Sequence, residues 1–199
     1  MTSKRRVSVT LLAVSLLAVP AAHAFELYGG AGGVKTTLSG GCDAANGAAS
    51  SHCDQGSSGY KAFVGLQLIP LTAVEAGYVD FGRAEGTGTV GGTPRNLRLE
   101  ANSVYVAGVL RATFLDRVTV YGKLGVQRWE AKGNLGTSTL GTDQSDNGYN
   151  AMGGVGLSVR VIGPLGIIGE VERYQGVGNS DTTGKANINV YSLGLVVRF

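Results

Sequence analysis

Large apolar residues alternate with small or polar ones along the C-terminal segment of the chain. The residues between the apolar positions are small or polar, except for Val190 and Val196. A period of two places successive side chains on opposite faces of a β-strand. The segment therefore predicts a strand with one continuous apolar face, made by Tyr191, Leu193, Leu195, Val197 and Phe199.

The same alternation recurs through the chain, with turn signals between the alternating segments. Each segment is long enough for the roughly nine to eleven residues with which a tilted strand crosses a bilayer. We predict eight strands, near 26–37, 59–69, 72–83, 98–112, 117–132, 148–161, 165–175 and 187–199.

Short and long connections alternate strictly between these strands. The tight ones are 69–71, 115–117 and 162–164, and the long polar ones are 38–58, 84–97, 133–147 and 176–186. Outer-membrane barrels have short periplasmic turns and longer external loops, whereas a soluble β-sandwich has no reason to alternate in this way. The pattern predicts an all-β, eight-stranded antiparallel up-and-down transmembrane barrel with both termini on the periplasmic side.

The apolar positions of each strand are expected to face lipid, and the positions between them to face the interior. The second predicted strand, for example, carries Lys61 and Phe63 inward and Val64 and Leu66 outward. Aromatic residues near the strand ends are candidates for two interfacial girdles. They are Tyr78, Trp129, Tyr149 and Tyr174 near the loops, and Phe25, Phe114 and Phe199 near the turns.

The first 24 residues have the features of an export signal. Lys4, Arg5 and Arg6 precede an apolar run, and Ala22-His23-Ala24 supplies an A-x-A cleavage site. We expect residues 1–24 to be a cleaved signal peptide and residues 25–199 to form the barrel domain. A retained signal anchor is the alternative, although the apolar run is shorter than the ~20 residues of a spanning helix.

Charge and hydropathy agree with this interpretation. The formal net charge of +3 equals the contribution of the three basic residues near the N-terminus, so the remaining chain is neutral and no nucleic-acid partner is expected. The mean hydropathy of +0.12 is mild, and the longest apolar window is interrupted by Gln67, Pro70 and Glu75. Barrel strands need only half of their residues apolar, so a mild value is compatible with membrane residence.

Cys42 and Cys53 lie in the first long polar stretch. In an exported chain an even pair of cysteines predicts a disulfide. A metal site that uses His52 is the alternative, but it would have too few ligands. We expect no metal and no cofactor.

Several stretches of the chain carry a family resemblance. Residues 118–129 are similar to the fifth strand of the OmpA-type outer-membrane β-barrel family, Ile69-Pro70 and 74–78 to its second turn-facing pair of strands, and 191–199 to its last strand. The resemblance covers essentially all of the mature region. Many members continue into a periplasmic peptidoglycan-binding domain, but this sequence ends at Phe199, so that function is not expected here.

Nucleotide-binding and enzymatic motifs are weak. Residues 86–91 match G-x-G-x-x-G, but Gly92-Thr93-Pro94 follows where a dinucleotide site needs a helix. Barrel lipid A deacylases, phospholipases and proteases use a histidine base, and the chain after residue 24 has only His52, in a loop. We therefore predict no enzymatic activity.

Charged residues at inward positions are the strongest functional signal, because ionisable groups at membrane depth pair with one another or meet water. In the family that this chain resembles, lumenal acids and bases form ion pairs that plug or gate a narrow channel. Glu75 and Lys123 fall at matching positions, whereas Glu170 departs from the pattern. Simple mutual neutralisation inside a filled barrel is the alternative. The candidate network is Glu75, Arg111, Lys123, Arg160, Glu170 and Glu172.

These observations predict an integral protein of the outer membrane of a Gram-negative bacterium, with a structural or surface role and weak porin-like passage of small solutes at most. A surface ligand- or host-binding protein that acts through its external loops is the alternative, and a lipid-modifying enzyme is the third. Expected partners are outer-membrane lipids and lipopolysaccharide, and the barrel assembly machinery, which would engage the C-terminal strand ending in Phe199.

Overall fold

A computed structural model of the protein describes residues 25–39, 52–53, 56–90, 93–136, 142–177 and 186–199. Residues 1–24, which carry the predicted signal peptide, lie outside these ranges, and so does Cys42 of the predicted disulfide. Within the described ranges no helix is long and apolar enough to cross a membrane.

Eight long antiparallel strands close into one barrel, which confirms the predicted fold class. Consecutive long strands pair with each other, and the first long strand also pairs with the last. A closed sheet leaves no edge whose backbone groups would go unpaired in hydrocarbon. The strands are β1 (Glu26–Ser39), β3 (Gly56–Ile69), β4 (Thr72–Val90), β5 (Thr93–Phe114), β6 (Val118–Gly136), β7 (Thr142–Ile162), β8 (Leu165–Val177) and β9 (Ala186–Arg198), while the two-residue β2 (His52–Cys53) pairs only with β4.

The three short connections lie at one end of the barrel, as the sequence predicts. The turn between β5 and β6 contains Leu115 and Asp116 with positive φ angles of 52° and 55°. The turn between β7 and β8 places Gly163 at φ 52°, a conformation that glycine adopts without steric cost. We call this end of the barrel the turn end, and the opposite end the loop end.

Two of the predicted long loops are wrong in their extent. β4 and β5 remain paired as far as Val90 and Thr93, and β6 and β7 as far as Leu135 and Thr142. The sequence does not alternate in these segments, because strands that have left the membrane no longer meet lipid on one face. Their backbone ladders continue all the same, since ladder hydrogen bonds do not depend on side-chain pattern.

The predicted faces are confirmed in the described strands. Along the C-terminal strand, Tyr191, Leu193 and Leu195 are 49% to 68% exposed, whereas Val190 and Val196 are buried in the interior. The same contrast separates outward and inward positions of the other strands. Outward apolar residues on the other strands include Val64, Leu66, Val104, Val106, Leu124, Val126, Val155, Leu157, Ile167 and Val171.

Candidate functional site

Five charged side chains are buried at the middle of the barrel interior. Each is at most 4% exposed, and they come from four strands that line different sides of the lumen. Ionised groups removed from water need partners of opposite charge and satisfied hydrogen bonds. We call this group the ion cluster, and it consists of Lys61, Glu75, Lys123, Glu170 and Glu172.

Lys123 on β6 is the centre of the ion cluster. Its Nζ donates a hydrogen bond of 2.8 Å to Glu75 Oε1 and a second one to a Glu170 carboxylate oxygen. The same Nζ lies 3.1 Å from Glu172 Oε1. One ammonium group therefore joins acids from β4 and β8, which are separated by β3, β1 and β9 around the barrel.

Lys61 on β3 is a second cation in the ion cluster, and the predicted network did not include it. Its Nζ donates 2.8 Å to Glu172 Oε1 and also bonds Glu170. The sequence did place Lys61 on the inward face of its strand, so the signal was present. The sequence pattern did not show that Lys61 lies at the same depth in the barrel as Glu170 and Glu172 on β8. That depth depends on how the strands are staggered around the barrel.

Tyrosine hydroxyls complete the coordination of two of the carboxylates. Tyr105 Oη donates 2.7 Å to Glu75 Oε1, and Tyr28 Oη donates 3.2 Å to Glu75 Oε2. Tyr121 Oη donates 2.7 Å to Glu170 Oε1. Hydrogen bonds to an ionised acceptor are stronger than neutral ones, so these phenols stabilise the charged carboxylates at this depth.

Each of these tyrosines lies directly opposite a glycine on the neighbouring strand. A Cβ atom added at any of the three glycines would collide with the tyrosine ring. The missing side chain thus lets the ring lie close against the neighbouring strand and carry its hydroxyl to a carboxylate. The pairs are Tyr28 with Gly65, Tyr105 with Gly77, and Tyr121 with Gly156.

An apolar layer fills the interior between the ion cluster and the loop end. Phe81 and Tyr174 make an edge-to-face contact with ring centroids 5.1 Å apart. Trp129 is 4% exposed and Tyr174 is fully buried, so the prediction that both belong to an interfacial girdle is wrong. Trp129 lies an even number of residues from Lys123 on β6, and Tyr174 lies an even number from Glu172 on β8. Because side chains alternate between the two faces of a strand, both aromatic residues point inward even though they lie near a loop.

Arg111 and Arg160 lie apart from the ion cluster, near the turn end. Arg111 Nη1 donates 2.6 Å to Gln67 Oε1, and the side chain of Arg160 is exposed. Both take the predicted face of their strands. Their separation from the buried acids follows from their position along the strand, because only residues at the same depth meet across the lumen.

The loop-end motifs of the sequence show no arrangement suited to a cofactor in the described residues. Residues 86–90 of the G-x-G-x-x-G match belong to β4 and pair with β5, and a helix does not follow them there. The backbone of Cys53 pairs with Gly86 in the short β2–β4 ladder. Among the described side chains, no group of three or more His, Cys, Asp and Glu residues is placed to hold a metal ion.

Comparison with known proteins identifies the class. The family model of the OmpA-like transmembrane domain matches residues 22–199, so the chain belongs to this family. Its homologues are Gram-negative outer-membrane proteins. The chain is thus an integral outer-membrane β-barrel of the kind that has surface or porin-like roles, while no curated protein sequence matches it.

Solved structures share the fold at low sequence identity. A major outer membrane protein from Thermus thermophilus is similar with a TM-score of 0.61 and 16% identity, over 89% of this chain and 100% of that one. Ail, the attachment invasion locus protein of Yersinia pestis, is similar with a TM-score of 0.57 and 16% identity, over 89% of this chain and 100% of Ail. OprG from Pseudomonas aeruginosa is similar with a TM-score of 0.57 and 10% identity, over 88% of this chain and 96% of OprG. At these identities the likeness establishes the fold alone.

Proposed function

We propose that the protein is a structural and surface barrel of the outer membrane whose interior is closed to steady solute flow. The single observation that carries this proposal is the ion cluster, in which Lys123 ties the β4 acid to the β8 acids across the lumen. The apolar layer around Phe81, Trp129 and Tyr174 adds a second obstruction towards the loop end. An eight-stranded barrel has room for little more than such side chains.

Single-channel recording in planar bilayers tests the closed interior. The purified, refolded protein is expected to give only small and intermittent conductance, and a large steady conductance would refute the proposal. The combined variant Lys123→Ala/Tyr174→Ala removes one side chain from each obstruction and should raise the conductance. Leu124→Ala, on the lipid-facing side of the same strand, is the matched control and should not. Failure of the double variant to raise conductance would show that these two layers do not close the lumen.

A second candidate function, binding through the external surface, is supported by the long hairpins. The β4–β5 hairpin stays paired from Asp80 and Asn102 out to Val90 and Thr93, which provides a firm projection rather than a free loop. Ail has been crystallised with a heparin analogue, sucrose octasulfate, so heparin is a reasonable first probe. Bacteria that express a form shortened by joining residue 83 to 100 should lose adhesion to immobilised heparin while the barrel still assembles. Equal adhesion of the shortened form would contradict this role.

Export and partners form the remaining part of the proposal. We infer that residues 1–24 are removed, and that the C-terminal strand ending in Phe199 is recognised by the barrel assembly machinery. Lipids and lipopolysaccharide would surround the outward apolar face. Mass spectrometry of the purified protein should show a mature N-terminus at Phe25, and a retained N-terminal segment would contradict the cleavage.

The protein is further proposed to act without catalysis. The buried carboxylates of the ion cluster accept hydrogen bonds from lysines, tyrosines and Ser192, so they are engaged in holding the cluster together. Lipid A extracted with and without the gene should therefore have the same mass spectrum. A shift by one acyl chain or one headgroup would establish an enzymatic role instead.

A further inference from the structure

The turn end of the barrel opens into a cavity of about 310 Å³ lined mainly by polar and charged side chains. We call it the arginine vestibule. Its charges come from Arg111, Arg117, Arg160 and Arg198, against Glu26 and Asp116. Four guanidinium groups therefore face two carboxylates, and the lining carries a surplus of two positive charges.

The arginines of the vestibule are only partly neutralised by the protein. Arg198 Nε lies 3.6 Å from Glu26 Oε1, a distance too long for a hydrogen bond, and that buried oxygen accepts none from the described residues. The side chains of Arg117 and Arg160 are exposed and form no ion pair within the described part of the chain. The backbones of these two residues are joined, because Arg160 N donates a hydrogen bond of 2.8 Å to Arg117 O.

Two of the arginines are held in fixed positions by neighbouring side chains. Arg111 donates to Gln67, and its guanidinium carbon lies 5.7 Å from the centroid of the Tyr28 ring. Arg198 Nη2 donates 2.7 Å to Ser158 Oγ. Each of these side chains uses only some of its N–H donors, and a guanidinium group has five. Preorganised guanidinium forks with free donors match the oxygens of phosphate and carboxylate groups.

The vestibule ends at the ion cluster, so an anion that enters it has no onward path. A small cavity of about 30 Å³, enough for about one water molecule, lies between them and is lined by Arg111 and Arg198 together with Glu75 and Tyr121. The ion cluster has three carboxylates and two ammonium groups, so its surplus charge is negative. Binding at the mouth is therefore favoured over passage through the barrel.

We propose that the arginine vestibule is a binding site for a small dianionic oxoanion, a phosphate or phosphate monoester, reached from the periplasmic side. A dianion balances the surplus of two positive charges, whereas a monocarboxylate balances only half of it. The cavity volume falls at the lower end of the range of small-molecule pockets and leaves room for an organic group beyond the phosphate. A cleft whose lining carries a net positive charge also concentrates anions.

The test titrates the refolded protein in an uncharged maltoside detergent at constant ionic strength with inorganic phosphate, glycerol 3-phosphate or sulfate. Nitrogen NMR signals of the arginine Nε–H groups report the site directly. One saturable event should shift the vestibule signals, and Arg160→Ala or Arg117→Ala should weaken it by roughly tenfold, about 1.4 kcal/mol. Arg173→Ala changes an exposed arginine near the loop end of β8 and should change the affinity by less than about twofold, or about 0.4 kcal/mol.

The three probes separate the possible sources of the anion. Tighter binding of glycerol 3-phosphate than of inorganic phosphate would identify a phosphorylated headgroup or sugar, and equal binding would identify free phosphate. Because the second pKa of a phosphate monoester is near 6, its affinity should fall as the pH is lowered from neutrality through that pKa, while that of sulfate stays constant. Absence of saturable binding by all three probes, or equal loss in Arg160→Ala and Arg173→Ala, would overturn the proposal.

Discussion

Replacement of Lys123 by methionine is the sharpest test of how the interior is held together. Methionine has a similar length and volume, so the change removes the charge with little loss of packing. Lys123 Nζ contacts Glu75, Glu170 and Glu172, and only Lys61 would then remain to neutralise three buried carboxylates. The variant therefore isolates the electrostatic part of the interaction.

The expected destabilisation is large because the carboxylates cannot move into water. Lys123 has no exposed side-chain surface, and the acids that it contacts are at most 2% exposed. Removing one partner of a buried ion pair costs about 3–5 kcal/mol, and we expect Lys123→Met to lower the free energy of unfolding by that amount. Lys132→Met removes a 3.2 Å pair with Glu130 in which the side chains are 61% and 44% exposed, and such pairs contribute at most about 1 kcal/mol.

Two further variants separate charge from packing in the same cluster. In Lys123→Met/Glu75→Gln the amide introduced on β4 still accepts a hydrogen bond from Tyr105 but carries no charge. Because residues in contact are energetically coupled, we expect the double variant to regain about 1–3 kcal/mol of the stability lost in Lys123→Met. Glu172→Gln removes the surplus negative charge, and Glu172 Oε2 is buried without a hydrogen-bond partner among the described residues. This variant should be no less stable than the parent protein.

Urea titration of the protein in lipid vesicles measures these differences. The sequence contains one tryptophan, Trp129, which is 4% exposed inside the barrel, so its fluorescence reports the loss of the interior. The change in gel mobility on heating gives an independent signal of barrel closure. A Lys123→Met variant whose stability lies within about 1 kcal/mol of the Lys132→Met control would show that the buried charge of Lys123 does not hold the interior together. A double variant less stable than Lys123→Met would show the same.

Two further predictions concern packing and covalent structure. Gly77→Val should displace the Tyr105 ring and cost about 1–3 kcal/mol by overpacking, whereas Gly33→Val, where an added Cβ meets nothing within 4 Å, should be nearly neutral in the same urea titration. Cys42 and Cys53 should form a disulfide, so the unreduced, denatured protein should bind no thiol reagent; labelling of both cysteines would rule the disulfide out.

The alternation of apolar and polar residues is enough to predict the architecture and the two faces of the barrel. Alternation is a local property that lipid on one side and packed side chains on the other impose on each strand, so Val190 and Val196 could be assigned inward from the pattern alone. The short turns were also local, because they are set by few residues such as Gly163. Trp129 follows the same rule. Its place in the alternation predicted an inward side chain, and only its position near a loop suggested an aromatic girdle.

Which inward residues meet across the lumen depends on the register between all the strands. Lys61 on β3 contacts Glu170 and Glu172 on β8 because the stagger of β1 and β9 between them brings those positions to one depth. Arg111 and Arg160 share the inward face yet lie at the turn end. Depth around a closed barrel accumulates from the register of every strand pair, and the local pattern of a single strand does not contain that register.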